Sequence, residues 1–257
     1  MDGAAVTVFA GRHSRAFCYN PGAEVLQVRF GHRRDDAAGF EAVPASQAVL
    51  RLGYGHLIVQ TAQNDYYVND DLAALRQALY GFCVRYATVN GIGYSMGGFG
   101  ALLLSRALHL RQVVLVSPQR MGFPATQPFA TQLADEMAAF YLGDDPALAG
   151  IVRGLKGVVL ADPFGGRGRD MAYARMVVQM APKLQLLAMP GAGHPATQMI
   201  KEAKLYPRFQ RATLAKRIKI EDLRAVHRQS REASPRYQQF LQRYLRKRLD
   251  RGAAAPE

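Results

Sequence analysis

Cysteine occurs only at Cys18 and Cys83, too few for a disulfide framework or a four-thiolate zinc site within one chain. A reducing compartment suits this scarcity, and the cytoplasm is the expected location. No apolar run approaches the roughly 20 residues needed to cross a bilayer. Residues 1–13 lack the basic segment followed by an apolar one that marks a secretory leader. Acidic residues are also scarce: 20 Asp and Glu stand against 33 Lys and Arg, a formal net charge of +13. Internal repeats and low-complexity linkers are absent. What is present is a chain of 257 residues, 49% hydrophobic and 21% charged. That is enough apolar surface for one well-filled core, which excludes wholesale disorder.

The positive charge is concentrated. From Lys201 onward there are 16 Lys and Arg against 6 Asp and Glu, a balance of +10, so everything before contributes only +3. Charge therefore says little about the main domain, expected over 1–205, and more about a basic helical extension over 206–257 packed on it.

Short β-rich apolar runs occur at Ala5–Ala10, Glu24–Phe30, His56–Thr61, Val89–Tyr94, Val113–Ser117, Gly157–Ala161 and Leu184–Met189. Most precede a helical pattern: Asp71–Val84 spaces Leu72, Leu75, Leu79 and Phe82 at helical intervals, and Phe99–Leu108 continues the habit. This alternation predicts an α/β fold, a mostly parallel central sheet flanked by helices on both faces, with basic C-terminal helices. The earliest runs are expected to include an antiparallel edge pair, with Arg15–Asn20 able to pair with either neighbour. A small insertion around 118–156, rich in proline at its start, falls where a lid over a pocket usually sits; a crossover helix with a long entry loop is the plainer reading.

The informative pentapeptide is Gly93-Tyr94-Ser95-Met96-Gly97, preceded by a β-run and followed by a helical one. A strand-to-helix turn this tight strains the serine backbone and crowds the positions two before and two after it, which glycine relieves. The serine hydroxyl then stands above the sheet, and the amide of Met96 points toward negative charge developing beside it. With 24 Gly and 7 Ser in the chain, a chance Gly-x-Ser-x-Gly is expected on the order of 0.06 times. A glycine-rich turn cradling a phosphate is the rival reading. Neither a full Gly-x-Gly-x-x-Gly nor a Gly-Lys-Ser/Thr supports it.

A serine nucleophile needs an imidazole to take its proton and a carboxylate to orient that imidazole, in the chain order Ser, acid, His. Of the six histidines only His194 fits, in a glycine-rich loop after a late strand. Asp162, directly at the end of the preceding strand, is the preferred acid. Asp170 is the alternative, set second because Asp before a helix is a routine N-cap. The second oxyanion donor is expected from the backbone of Gly31 or His32. Arg33 and Arg120 on predicted C-terminal strand ends would suit an anionic substrate, although solvated loop charge is the plainer reading because Asp35, Asp36 and Asp65 share that rim; Tyr66 and Tyr67 would line the pocket or pack beneath its loop.

Gly93-Tyr94-Ser95-Met96-Gly97-Gly98, Asp162-Pro163 and Gly193-His194 resemble the α/β-hydrolase superfamily over roughly residues 5–205. More narrowly, Ser-Met-Gly-Gly with the downstream Ser117-Pro118-Gln119 resembles a poorly characterised bacterial group of hydrolase-like proteins. The resemblance implies an eight-stranded sheet and a triad of Ser95, Asp162 and His194.

Near the end, Ser234-Pro235 opens a helical pattern whose apolar stripe is Tyr237, Phe240, Leu241, Tyr244, Leu245 and Leu249, with Arg236, Arg243, Arg246, Lys247 and Arg248 on the other faces. A helix docked by its stripe with a solvated basic back is the simplest account. An anionic surface or an acidic partner is the alternative; no nucleic-acid-binding module is recognisable, so nucleic acid is not expected. The expected function is a serine hydrolase cleaving a small ester or thioester through an acyl-enzyme, with no metal or cofactor. An acyltransferase to a sugar or alcohol, and a non-catalytic hydrolase-like protein binding through its basic region, are the alternatives.

Overall fold

β-branched and aliphatic runs too short for helices form the strands, and the leucine-spaced segments between them form the covering helices. A computed structural model describes residues 5–35, 39–119 and 129–253. The strands are β1 (Val6–Ala10), β2 (Ser14–Tyr19), β3 (Val25–Phe30), β4 (Gly55–Thr61), β5 (Thr88–Tyr94), β6 (Gln112–Val116), β7 (Lys156–Ala161) and β8 (Leu184–Ala188). They make one sheet in the order β1-β2-β4-β3-β5-β6-β7-β8. β2 runs antiparallel to both β1 and β4, and the rest pair in parallel. The segment after the first turn thus joins β1 to β4, leaving β3 parallel between β4 and β5.

The helices are α1 (Gln47–Leu50), α2 (Leu72–Cys83), α3 (Met96–Leu103), α4 (Phe129–Leu142), α5 (Arg169–Met180), α6 (Gln198–Glu202), α7 (Tyr206–Thr213), α8 (Ile220–Ala233) and α9 (Pro235–Ala253). α3 begins three residues before the helical spacing does, taking in Gly97 and Gly98 despite their poor propensity. Burial along its whole length supplies what propensity lacks.

Strand pleating splits the core into two layers. Val113, Leu115 and Val159 face a cluster that includes Leu75 and Leu79 of α2, Phe99 and Leu102 of α3 and Val177 of α5. Val114, Val116 and Leu160 face the opposite cluster, with Phe209 of α7 and Leu223 and Val226 of α8. The second layer thins over β3, β4 and β5. There Gln112, Asn90, Gln27, His56 and Tyr19 stand in register across five strands, a polar row where a doubly covered sheet is ordinarily apolar.

Among the described residues no helix is long and apolar enough to cross a membrane. Cys18 and Cys83 are free and buried, and burial pushes their thiols up to about 11 and about 12, which disfavours the thiolate.

Two histidines make stability depend on pH. His56 and His227 are each 1% exposed. Burial lowers both to about 4, helped by Arg29 at His56 and by Arg231 at His227. As pH falls below the unfolded value of about 6.5, the unfolded chain takes up protons that the folded chain refuses. Their contribution is therefore intact above that pH and lost progressively toward 4, by at most about 2 kcal/mol per histidine at pH 5. Urea midpoints measured from pH 7 to pH 5 should fall, and a flat profile would contradict this burial.

Candidate active site

Between the end of β5 and the start of α3 a single residue makes the turn. Ser95 has φ 50° and ψ −120°, a conformation costing about 1–3 kcal/mol for a residue with a side chain. It is held by the Ser95 amide donating to Val116 O at 2.9 Å, and by the Gly98 and Phe99 amides donating to Ser95 O at 2.9 and 3.3 Å. A Cβ at Gly93 would lie 2.1 Å from Gly97 O, and one at Gly97 would lie 2.6 Å from Gly31 O. The two flanking glycines are therefore required by close backbone approach, and the loop after β3 is pressed against the start of α3.

His194 reaches this serine from the loop after β8, with Nε2 3.0 Å from Ser95 Oγ. Its Nδ1 lies 2.8 Å from Asp170 Oδ2. The carboxylate beside His194 is thus that of Asp170 and not the preferred Asp162. Asp170 caps nothing: the residue before α5 is Gly168, at φ 89°, and Asp170 stands in the helix's first turn, fully buried. Its Oδ1 accepts from Gln119 Nε2, and the Gln119 amide donates to Ser95 O at 3.3 Å. The N-terminal end of α5 favours negative charge at that place.

Asp162 has a different task. Its Oδ1 accepts the amides of Phe164 and Gly191 at 2.9 and 3.3 Å, and its Oδ2 accepts that of Gly193 at 2.8 Å. It ties the β7 loop to the loop carrying His194. Burial raises its pKa, the three amides working against that rise.

The Gly31 amide donates to Val59 O at 2.9 Å, so strand pairing consumes it and it is no oxyanion donor. Among the described residues the amides of Met96 and His32 meet no protein acceptor, and His32 lines the same cleft as Ser95. Tyr66 and Tyr67 are buried in the core and do not line that cleft. The Tyr67 hydroxyl bonds Gly31 O and Val59 O at 3.0 and 3.1 Å, fixing the β3 loop from beneath. Arg33 does line the cleft, partly engaged by Asp35 at 3.8 Å. Arg120 lies outside the described residues, as do the others from 120 to 128. Of the expected lid, α4 packs on α5 and the core through Met137 and Phe140, and no described residue of 129–156 lines the cleft.

The sheet order, the single antiparallel strand between β1 and β4, and the turn at Ser95 together define the architecture. The chain has the α/β-hydrolase fold. Comparison with known proteins gives no matching family model and no matching curated protein. Solved structures do match in chain course. Est1E from Butyrivibrio proteoclasticus is 12% identical, with 82% of this chain and 100% of that one covered and a TM-score of 0.46. The Pyrococcus furiosus esterase Pf2001 is 13% identical, with 82% and 93% covered and a TM-score of 0.45. XC6422 from Xanthomonas campestris, described as an α/β serine hydrolase without lid, is 16% identical, with 90% and 95% covered and a TM-score of 0.41. Likeness at this level says nothing of substrate.

Ser117 and Gln119 entered the sequence reading only through the resemblance and were given no role; Gln119 links Ser95 O to Asp170, and Ser117 Oγ accepts the Ala196 amide at 3.0 Å beside His194. Both follow β6, and their strand-end position is the physical signal that could have given them a role. The tethering role of Asp162 is open to a stability measurement. Asp162→Ala strands buried amide donors and should lower unfolding free energy by about 2–4 kcal/mol. A urea midpoint equal to the parent's would show that the three bonds carry no weight.

Proposed function

We propose that this protein is a serine hydrolase that cleaves an ester or thioester through an acyl-enzyme. The observation that carries the reading is the unbroken relay from Ser95 Oγ through His194 to Asp170, 3.0 and 2.8 Å long. With Nδ1–H donated to Asp170, Nε2 keeps its lone pair and accepts the serine proton, the tautomer that general-base chemistry requires.

As that proton moves to Nε2, Oγ forms a bond to the acyl carbon, and the carbonyl electron pair shifts to its oxygen. The Met96 and His32 amides, which have no protein acceptor among the described residues, would hold that oxyanion. Collapse expels the alcohol or thiol, which leaves with the proton from His194. Water then attacks the acyl carbon, giving a proton to His194 that returns to Ser95 as the acid departs. The Asp170 carboxylate orients the ring and offsets its transient charge.

A fluorophosphonate probe should label Ser95, and Ser95→Ala should abolish the label. Asp170→Asn, which reverses the ring's preferred tautomer, should lower kcat on a p-nitrophenyl ester by about 10³–10⁴-fold. Asp162→Asn should lose far less. Equal labelling of parent and Ser95→Ala, or none of either, would return the chain to the reading of a non-catalytic scaffold.

A further inference from the structure

The cleft above Ser95, about 350 Å³, is lined by Arg29, His32, Arg33 and Lys201 and by no acidic side chain among the described residues. Asp170 is screened from it, being fully buried behind His194. Arg33 has Asp35 nearby. Arg29 and Lys201 have no carboxylate within ion-pair distance among the described residues, since the neighbouring Glu202 is taken by Arg236 at 2.9 Å. Lys201 sits instead 5.5 Å from the centre of the Tyr206 ring.

A second cavity, about 290 Å³, adjoins the first and shares four of its lining residues: Arg29, Tyr94, Lys201 and Tyr206. Those four form the neck between them, where the Tyr94 and Tyr206 hydroxyls lie 3.0 Å apart. The inner cavity opens on the polar row of the sheet. Gln27 lines it at 2% exposure, and neither its Oε1 nor its Nε2 meets a protein partner. His56 also lines it; its Nδ1 accepts the Ser46 amide, which leaves Nε2 as a donor in the neutral ring.

Buried amides without partners destabilise the fold, and two unpaired cations facing one neck repel each other. Both costs are offset if a polar anion occupies the neck. An apolar acyl chain would leave Gln27 unpaired and strip water from the two cations with nothing in return. We infer that the substrate is an ester or thioester bearing a second, anionic group, which Arg29 and Lys201 hold at the neck while an adjoining polar part reaches Gln27 and His56. This rests on the proposed hydrolase reading and deepens it. The anion, a carboxylate or a phosphate, belongs either to the acyl part or to the leaving group.

Two matched pairs of substrates separate those sources: p-nitrophenyl butyrate against mono-p-nitrophenyl glutarate, and S-acetyl-N-acetylcysteamine against acetyl coenzyme A. At low salt, kcat/KM for the charged member of one pair should exceed that of its neutral partner at least about tenfold. That ratio should fall about tenfold in Arg29→Gln and in Lys201→Gln, and again between about 50 and 500 mM salt. Because both side chains are exposed, the variants should fold, which circular dichroism checks. Calorimetry of glutarate and of inorganic phosphate with Ser95→Ala gives a readout free of turnover; binding should be present there and lost when Arg29→Gln is added. Ratios near one in both pairs, or ratios unchanged by either variant, overturn the inference while labelling of Ser95 leaves the hydrolase reading standing. Anion binding that depends on Arg29, without labelling of Ser95, supports the anion site and removes the hydrolase reading.

Discussion

Ser95 occupies a backbone conformation that a residue with a side chain ordinarily avoids, and much of the molecule serves to make that conformation the cheapest available. β5 and α3 meet with a single residue between them, so the helix can start only if the chain reverses at once. The reversal brings Gly97 O to where a side chain at Gly93 would stand, and Gly31 O to where one at Gly97 would stand. Two missing Cβ atoms thereby allow β3, β5 and α3 to close on one another. That closure leaves the amides of Met96 and His32 without protein acceptors among the described residues, while Val116 O holds the serine amide. Loosening any one contact would relax the turn and move the hydroxyl off its imidazole.

Two aspartates, one in the loop after β7 and one in the first turn of α5, divide the work that a hydroxyl–imidazole pair requires. Among the described residues the Asp162 carboxylate meets backbone amides alone, and through Gly191 and Gly193 it sets the path of the chain that carries His194. Asp170 meets the imidazole and one amide side chain. Burial works against the charge of Asp162, whose amides answer it. The charge of Asp170 is answered by Gln119, by His194 and by the start of α5. A carboxylate given both tasks would have to satisfy two geometries with two oxygens. Separating them lets each be fully bonded.

This division explains which parts of the site were legible in the sequence. The turn at Ser95 was legible because its constraints are local: glycine at fixed offsets, strand before, helix after. His194 followed by elimination along the chain. The acid was misjudged because Asp-before-helix is common for a reason, N-capping, that does not operate here; a 3-10 turn over Gly165–Gly168 shifts the cap to Gly168 and frees the next carboxylate. Gly31 failed as a donor because β3 pairs with β4 one residue further than the β-run suggests. Tyr66 and Tyr67 took the second of their two readings, packing beneath the loop, because a loop after a buried strand can turn inward, as the Tyr67 bond to Gly31 O shows. Arg29 was invisible for a converse reason: its position on a strand gives no hint that the covering layer is thin above it.

The basic extension shows the same dependence on packing. Its stripe is continuous in sequence, yet only the first half is covered. Tyr237 and Phe240 crowd Gly191, where an added Cβ would meet the Phe240 ring at 2.7 Å, and the Phe164 ring lies 4.9 Å from that of Phe240, tilted by 50°. Glu202 fixes the start of α9 through Ser234 and Arg236. Beyond that the stripe runs out from the domain, with Leu245 and Leu249 50% and 74% exposed. The docked half therefore lies on the same two loops that Asp162 ties together, so the helix counted as an appendage by its charge is, by its contacts, part of what holds His194 in place. Charge located the extension, but only apolar contact says what it does for the site.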